Sequence, residues 1–313
     1  MPKIKKVAII GTGVIGAGWI IRCLAYNKIV YAFDKDLKLK KNLITKIKKT
    51  WPHVRKLFKK KKLNLKNFHF FTSIKETLKD ADFIQECATE NYALKTKLMN
   101  TISRYAKSSV IISSSSSGLL PTKIYSKCKN PARAMIGHPF NPVYLLPAVE
   151  IVPGKKTSRK YLNQAKNFYK SMAMNPIMLK HELPGYLSDR LQEALWREGL
   201  HIINEGHATT KDLDRAIEDG PGLRWSLMGT FLTFHLAGGK HGMKHMLEQF
   251  GPALKLPWTK LKAPKLSYKL IDRLVKGTKE QSKGKSVTNI SNIRDQYLVE
   301  LQKLRKKYEK KLR

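Results

Sequence analysis

Apolar and polar positions alternate in blocks over the first half of the chain. Val7-Ala8-Ile9-Ile10, Ile29-Val30-Tyr31-Ala32-Phe33 and Phe68-His69-Phe70-Phe71 are short apolar runs. Residues 82–87, 110–112, 134–137, 149–152 and 175–179 repeat the pattern. Stretches with helical spacing lie between them, one ending at Tyr26-Asn27-Lys28 and others over residues 37–62, 73–78 and 92–105. Strand–helix alternation of this kind predicts a mainly parallel sheet covered on both faces. The texture changes at Pro184-Gly185. Residues 186–205 read as a long amphipathic helix with Leu187, Leu191, Ala194, Leu195 and Leu200 on its apolar side. Thr210-Lys211-Asp212-Leu213 looks like a helix start. The remainder reads as helices, with loops at 220–222, 238–239 and 252–264. A terminal amphipathic helix over 290–312 carries Ile293, Tyr297, Leu301 and Leu304, to dock on the domain or on a partner subunit. The expected class is α/β, a doubly wound sheet over residues 1–183 followed by an all-helical domain over 184–313.

The first of these connections has chemistry in it. Gly11-Thr12-Gly13-Val14-Ile15-Gly16 stands between a buried strand and a helix. A glycine-rich turn there brings backbone N–H groups and a positive helix end against a pyrophosphate. Gly11 is read as permitting the tight turn, Gly13 as letting the phosphates approach, and Gly16 as allowing close packing of helix on strand. The second strand ends in Asp34. A carboxylate at that strand end accepts hydrogen bonds from an adenosine ribose and repels a 2′-phosphate, so the expected cofactor is NAD and the first domain Rossmann-type.

Composition changes the picture in one respect. Sixty-one Lys and Arg against 23 Asp and Glu give a formal net charge of +38 over 313 residues. Such charge is the footprint of a nucleic-acid or anionic-membrane surface. Here, though, the lysines are spread through nearly every segment and no separate basic stripe stands out. The expectation is a solvated, lysine-biased surface with no specific nucleic-acid or membrane partner. Cys23, Cys87 and Cys128 are odd in number and lack metal-ligand spacing. With no leader-like segment before the first strand and no apolar run near the ~20 residues of a membrane span, a soluble cytoplasmic protein without a metal is expected.

Three further features cluster between Ile111 and Glu150. The polar tract 113–117 closes on Gly118 just after a strand, and Gly137-His138-Pro139-Phe140-Asn141-Pro142 follows another. Ligands bind beyond the carboxyl ends of strands in such sheets. Oxidising an alcohol with NAD requires a base for the hydroxyl proton, a task that suits histidine, whose ordinary pKa is about 6.5. A carboxylate on the other ring nitrogen, supplied by Glu150, would fix the tautomer and favour the imidazolium. A serine hydroxyl can hold the substrate oxygen. Taken singly, each has a plainer role: a structural histidine, a surface acid, a flexible serine loop.

These words, with Ala88-Thr89-Glu90-Asn91 and Pro184-Gly185-Tyr186 through Arg190-Leu191, stand in the order found in the 3-hydroxyacyl-CoA dehydrogenase family, which the chain resembles over both domains. The resemblance puts the family's histidine–glutamate pair at His138 and Glu150 and its substrate-binding serine at Ser117. It makes Gly11, Gly13, Val14, Ile15, Gly16, Asp34, Glu90 and Lys95 the expected NAD-binding residues, with Glu90 toward the nicotinamide. Two departures argue against an ordinary hydroxyacyl-CoA substrate. The family's Asn-Arg-Leu reads Asp189-Arg190-Leu191, and its Asn-Thr-Ser-Ser tract reads Ser115-Ser116-Ser117-Gly118.

Residues 218–225 resemble the lambda-crystallin branch, and residues 231–239 and 250–258 its carnitine-oxidising members. This likeness implies NAD-dependent oxidation of L-carnitine to 3-dehydrocarnitine, in a homodimer. A quaternary ammonium has no N–H to donate and is held by aromatic faces. Trp196, Trp225, Phe231, Phe234 and Trp258 are candidates, though aromatics at helical spacing commonly serve a core. Arg224 is expected on the substrate carboxylate, its rival role being a dimer contact, and Asp189 and Ser117 join the substrate-binding set. The competing readings are a hydroxyacyl-CoA dehydrogenase, an L-gulonate-type sugar-acid dehydrogenase and a noncatalytic structural protein. His138, Glu150 and the intact glycine loop argue against the last.

Overall fold

The computed structural model describes residues 4–59, 62–226, 229–252, 256–259, 267–272 and 287–312, together with Lys265, Lys283 and Lys285. Part of the 252–264 loop and Lys60-Lys61 lie outside the described residues. Eight strands form one sheet: β1 (Lys6–Ile10), β2 (Ile29–Phe33), β3 (Phe68–Phe71), β4 (Phe83–Glu86), β5 (Ile111–Ser114), β6 (Ala134–Pro139), β7 (Ala148–Pro153) and β8 (Asn175–Met178). Their order is β3-β2-β1-β4-β5-β6-β7-β8. The first six run parallel, β7 is antiparallel to β6, and β8 is parallel to β7. Each run predicted as a strand is one.

Successive side chains of a strand face opposite ways, so each strand feeds two cores. On one face Ala8, Ile10, Ile84, Ile112 and Ile136 join Leu78 of helix α3 (Ile74–Leu78), Met99 and Ile102 of α4 (Tyr92–Tyr105) and Ile124 of α5 (Pro121–Ile124). Helices α1 (Val14–Ala25) and α6 (Arg159–Lys170) supply the aromatic packing of the other. Phe83 of β4 stacks on Phe168 at 4.1 Å between ring centroids, and Trp19 lies 5.4 Å from Tyr169. The lysine-rich helix α2 (Leu39–Phe58) buries Leu43, Ile47, Trp51, Val54 and Leu57 while Lys40, Lys41 and Lys48 face solvent.

The chain divides into two compact units, Met1–Arg190 and Leu191–Arg313. Helix α7 (Ser188–Glu205) starts two residues later than its apolar pattern suggests, because Tyr186 is held at a positive φ of 47°. Helix α8 (Thr210–Glu218) begins in a capping box between Thr209 and Asp212. Two expected loops differ. Residues 221–225 form a short helix, α9 (Pro221–Trp225), since proline is tolerated in a first turn where its missing N–H costs nothing. Gly239–His241 forms a 3-10 turn between α10 (Thr230–Ala237) and α11 (Gly242–Phe250). The last helix spans Val287–Leu312, three residues longer at its start than its periodicity indicates. Among the described residues no helix is long and apolar enough to cross a membrane.

Candidate active site

The carboxyl ends of β1, β2, β4, β5 and β6 carry the polar residues. At the end of β1, Gly11 adopts φ +98°, and a Cβ there would lie 2.9 Å from the Cys87 carbonyl oxygen, so only glycine fits. A Cβ on Gly16 would fall 1.9 Å from the Gly11 carbonyl oxygen. The tightness at Gly16 is therefore against the loop itself rather than against the strand. Gly13 differs: a Cβ there meets nothing within 4 Å and would point into the space before the helix start. Val14 and Ile15 open α1 at that space, with their first-turn amides. Asp34 stands beside the loop. Its Oδ2 accepts from the Thr12 amide at 3.0 Å and the Thr12 hydroxyl at 2.7 Å. Its Oδ1 takes the Lys35 amide at 2.8 Å. These residues fit a dinucleotide: room at Gly13 for phosphates, helix amides beyond it, and a fixed carboxylate at the ribose end.

Beneath this edge lies an ionic knot that sequence reasoning missed. Glu86, at the end of β4, is fully buried, and the Lys95 ammonium reaches its two oxygens at 2.9 and 3.0 Å. The Ser114 hydroxyl and the Ala88 amide also donate to that carboxylate, and Lys95 donates further to the Ala88 carbonyl at 3.0 Å. Lys95 also lies 3.5 Å from Oε2 of Glu90. Glu90 holds the serine tract: its Oε1 accepts from the Ser116 hydroxyl and from the Ser117 and Gly118 amides. Ser117 itself is exposed. Lys95, expected against the cofactor, is 1% exposed and bound to protein carboxylates. The available signal was a polar pair, Gln85-Glu86, closing a short apolar strand.

His138 and Glu150 face each other directly across the antiparallel β6–β7 pair. Their spacing of twelve residues is the consequence of that register. His138 Nδ1 lies 2.9 Å from Glu150 Oε2, and both residues are buried. The other carboxylate oxygen accepts from the Leu187 and Ser188 amides, each at 3.0 Å, at the start of α7. Burial pushes the Glu150 carboxyl up, but the His138 hydrogen bond, the Ser188 amide, the charge of His138 and the Leu187 amide outweigh it, leaving the group below its ordinary value. With a carboxylate on Nδ1, that nitrogen carries the proton and Nε2 is the accepting one. On the Nε2 side stands Asp189, its Oδ2 at 3.8 Å.

Tyr186 is the second residue that sequence reasoning left without a role. Its buried ring lies 5.7 Å from the His138 ring, while its hydroxyl donates to the Leu119 carbonyl at 2.8 Å. One side chain thus ties the serine tract to the histidine. Phe140 covers His138 from another direction at 5.2 Å. Below them, Gln85 donates to Ser115 and to the Gly137 carbonyl and accepts from Tyr169, and Trp19 also donates to Ser115. A Cβ on Gly137 would collide with the Tyr169 hydroxyl at 2.0 Å.

The remaining expected substrate residues belong to the second unit. Trp196 on α7 is 56% exposed, Trp225 on α9 41% and Phe231 on α10 83%, so none of the three is a core aromatic within this chain. Arg224 is exposed on α9, and Phe234 and Trp258 are exposed as well.

A glycine loop with Asp34 beside it and a buried histidine–carboxylate pair on the same sheet edge is an arrangement that suits a nicotinamide-dependent dehydrogenase. Residues 6–182 match the 3-hydroxyacyl-CoA dehydrogenase NAD binding domain, and residues 185–285 match the 3-hydroxyacyl-CoA dehydrogenase C-terminal domain. The chain is 49% identical to an L-carnitine dehydrogenase of Oceanobacillus iheyensis over 95% of its own length and 97% of the relative's. It is 47% identical to an L-carnitine dehydrogenase of Bacillus cereus, over 98% of this chain and 94% of that one. Among solved structures, FHMPC 5-dehydrogenase, an NAD+ dependent dismutase, superposes with a TM-score of 0.83 at 22% identity, covering 97% of this chain and 99% of that one. The chain belongs to the 3-hydroxyacyl-CoA dehydrogenase family, and its cofactor is NAD.

Proposed function

We propose that the protein oxidises L-carnitine to 3-dehydrocarnitine, with His138 as the general base. The observation that carries the mechanism is the cross-strand pair, in which Glu150 occupies Nδ1 of His138 and leaves Nε2 to accept a proton. The near-half identity to L-carnitine dehydrogenases over almost the whole chain supports the substrate. Bound NAD would supply the acceptor for the hydride leaving the carbinol carbon. His138 Nε2 removes the hydroxyl proton, and Ser117 hydrogen-bonds the same oxygen. Glu150 stabilises the imidazolium as it forms. Its own charge is held by the Leu187 and Ser188 amides, so it need not move. The Gly11–Gly16 loop with Asp34 binds the dinucleotide, and Glu90 and Lys95 shape its nicotinamide end. Because His138 must start neutral, oxidation rises with pH and the reverse reaction falls.

Arg224 is assigned to the substrate carboxylate, where its planar fork offers two parallel hydrogen bonds. Trp196, Trp225 and Phe231 are assigned to the quaternary ammonium on the chemistry of cation–π attraction. We also assign the NAD-binding domain to residues 1–183 and substrate binding and dimerisation to residues 184–313. The exposure of Leu191, Leu195, Leu223, Leu232 and Leu236 in the second unit favours a homodimer. Three unpaired cysteines suit the reducing cytoplasm.

The test is NADH formation with L-carnitine, D-carnitine, 3-hydroxybutyrate, L-gulonate and 3-hydroxybutyryl-CoA side by side. Turnover of L-carnitine alone supports the reading. Turnover confined to L-gulonate or the CoA ester overturns the substrate while keeping the His138–Glu150 chemistry. Light scattering on the eluting peak tests the dimer.

A further inference from the structure

His138 stands between two carboxylates with different duties. Glu150 is fully engaged, one oxygen on Nδ1 and the other on two backbone amides. Asp189 lies on the opposite side, 3.8 Å from Nε2, the nitrogen that receives the substrate proton. It is one third exposed, in the first turn of α7, so its oxygens border the space where the reacting hydroxyl must sit. A carboxylate therefore borders that space on the Nε2 side. An uncharged or anionic group beside the carbinol gains nothing from Asp189. A cation there gains an ion pair in a partly desolvated setting.

Geometry selects the position of that cation. A hydroxyl oxygen hydrogen-bonded to Nε2 lies about 2.8 Å from it. A positive nitrogen on the carbon next to the carbinol is separated from that oxygen by two carbons, roughly 3–4 Å through space given ordinary bond lengths. A pose that turns this nitrogen toward the α7 start brings it within about 4–6 Å of the Asp189 carboxylate, close enough for an alkylated ammonium that has no N–H and attracts only by charge. We infer that Asp189 is the counter-ion that selects substrates bearing a fixed positive charge on the carbon adjoining the reacting carbinol. The inference deepens the proposed function and rests on it. Asp189 acts on the substrate directly. It thus differs from an acid that only complements the α7 N-terminus or only tunes His138, either of which would affect every substrate alike.

The experiment compares L-carnitine with its uncharged carbon isostere, 3-hydroxy-5,5-dimethylhexanoate, in the wild-type protein, Asp189→Asn and Asp189→Glu, all with NAD. The two substrates share shape and carboxylate and differ in the one charge. The wild-type protein is expected to prefer L-carnitine by at least about tenfold in kcat/KM, the range expected of one charge-assisted contact. Asp189→Asn should bring the ratio to within about threefold, mainly through a higher KM for L-carnitine, and Asp189→Glu should restore part of the preference. NADH-binding fluorescence confirms that each variant is folded. An unchanged ratio in Asp189→Asn overturns the counter-ion while leaving L-carnitine as the substrate. Equal use of both compounds by the wild-type protein overturns it without any variant. Turnover of neither compound overturns the substrate reading and the counter-ion together.

Discussion

Glu150 is the residue on which most of the site turns, because it bonds His138 with one oxygen and the start of α7 with the other. Its carboxyl lies below the ordinary 4.5 because those hydrogen bonds outweigh burial. A group with a folded pKa below its unfolded value stabilises the fold fully above the unfolded pKa. That contribution is lost as pH falls through the folded value. Glu150→Gln should therefore cost stability at neutral pH, roughly 1–3 kcal/mol for charge-assisted bonds made to a buried group. The gap from wild type should narrow as pH falls below about 4.5, in paired urea titrations across pH. A constant gap would show that the charge is not what the amides hold. The cysteines make a second prediction at this scale. Burial pushes the Cys23 and Cys87 thiols up to about 12 and Cys128 to about 11. Only the thiolate reacts, so native protein at pH 8 should resist a disulfide reagent and all three thiols should titrate once urea unfolds it. A fast native phase would contradict the packing around Cys87.

At the scale of elements, the loop before α1 separates two functions of glycine that look alike in sequence. Gly16→Ala places a Cβ 1.9 Å from a loop carbonyl and must deform the turn, so stability and NAD affinity should fall together. Gly13→Ala meets no protein atom within 4 Å, so the melting temperature should hold while KM for NAD rises at least about tenfold. Equal loss of stability in both variants would contradict the open space at Gly13, and an unchanged KM would remove the phosphates from in front of it. The same contrast explains what the sequence could and could not tell. The strands were legible because a sheet covered on both faces needs continuous apolar runs. The His138–Glu150 pair was legible because His138 follows such a run and Glu150 interrupts another. The Glu86–Lys95 knot was not, since a lysine in a polar helix such as α4 carries no sign that its ammonium turns inward. Tyr186 was hidden in the same way: its link from His138 to Leu119 depends on a positive φ that sequence pattern does not reveal. Arg22 had a signal that went unread, as the one charged residue of α1. It is buried and caged by the carbonyls of Val143, Met172 and Leu146.

For the whole molecule the governing quantity is charge. Twenty-three acids cannot neutralise 61 cations pair by pair, and the formal excess is +38. Some of those acids are also withdrawn from the surface: Glu86 and Glu150 are fully buried on internal partners. The ion pairs that remain at the surface, such as Lys107–Asp80 at 3.9 Å and Arg215–Asp219 at 3.6 Å, are exposed and individually weak. The folded chain therefore concentrates like charge that the unfolded chain spreads out, and self-repulsion opposes folding. Salt screens that repulsion, the Debye length falling from ~30 Å at 0.01 M to ~10 Å at 0.1 M. Raising sodium chloride from 0.01 to 0.3 M should accordingly raise the melting temperature, by about 3 °C for each kcal/mol of repulsion relieved. Sulfate should do more than chloride at equal ionic strength, because it also strengthens burial of apolar surface. A protein held mainly by surface ion pairs would respond in the opposite sense. A falling melting temperature would thus mean that the few acids are placed to outweigh the lysine excess.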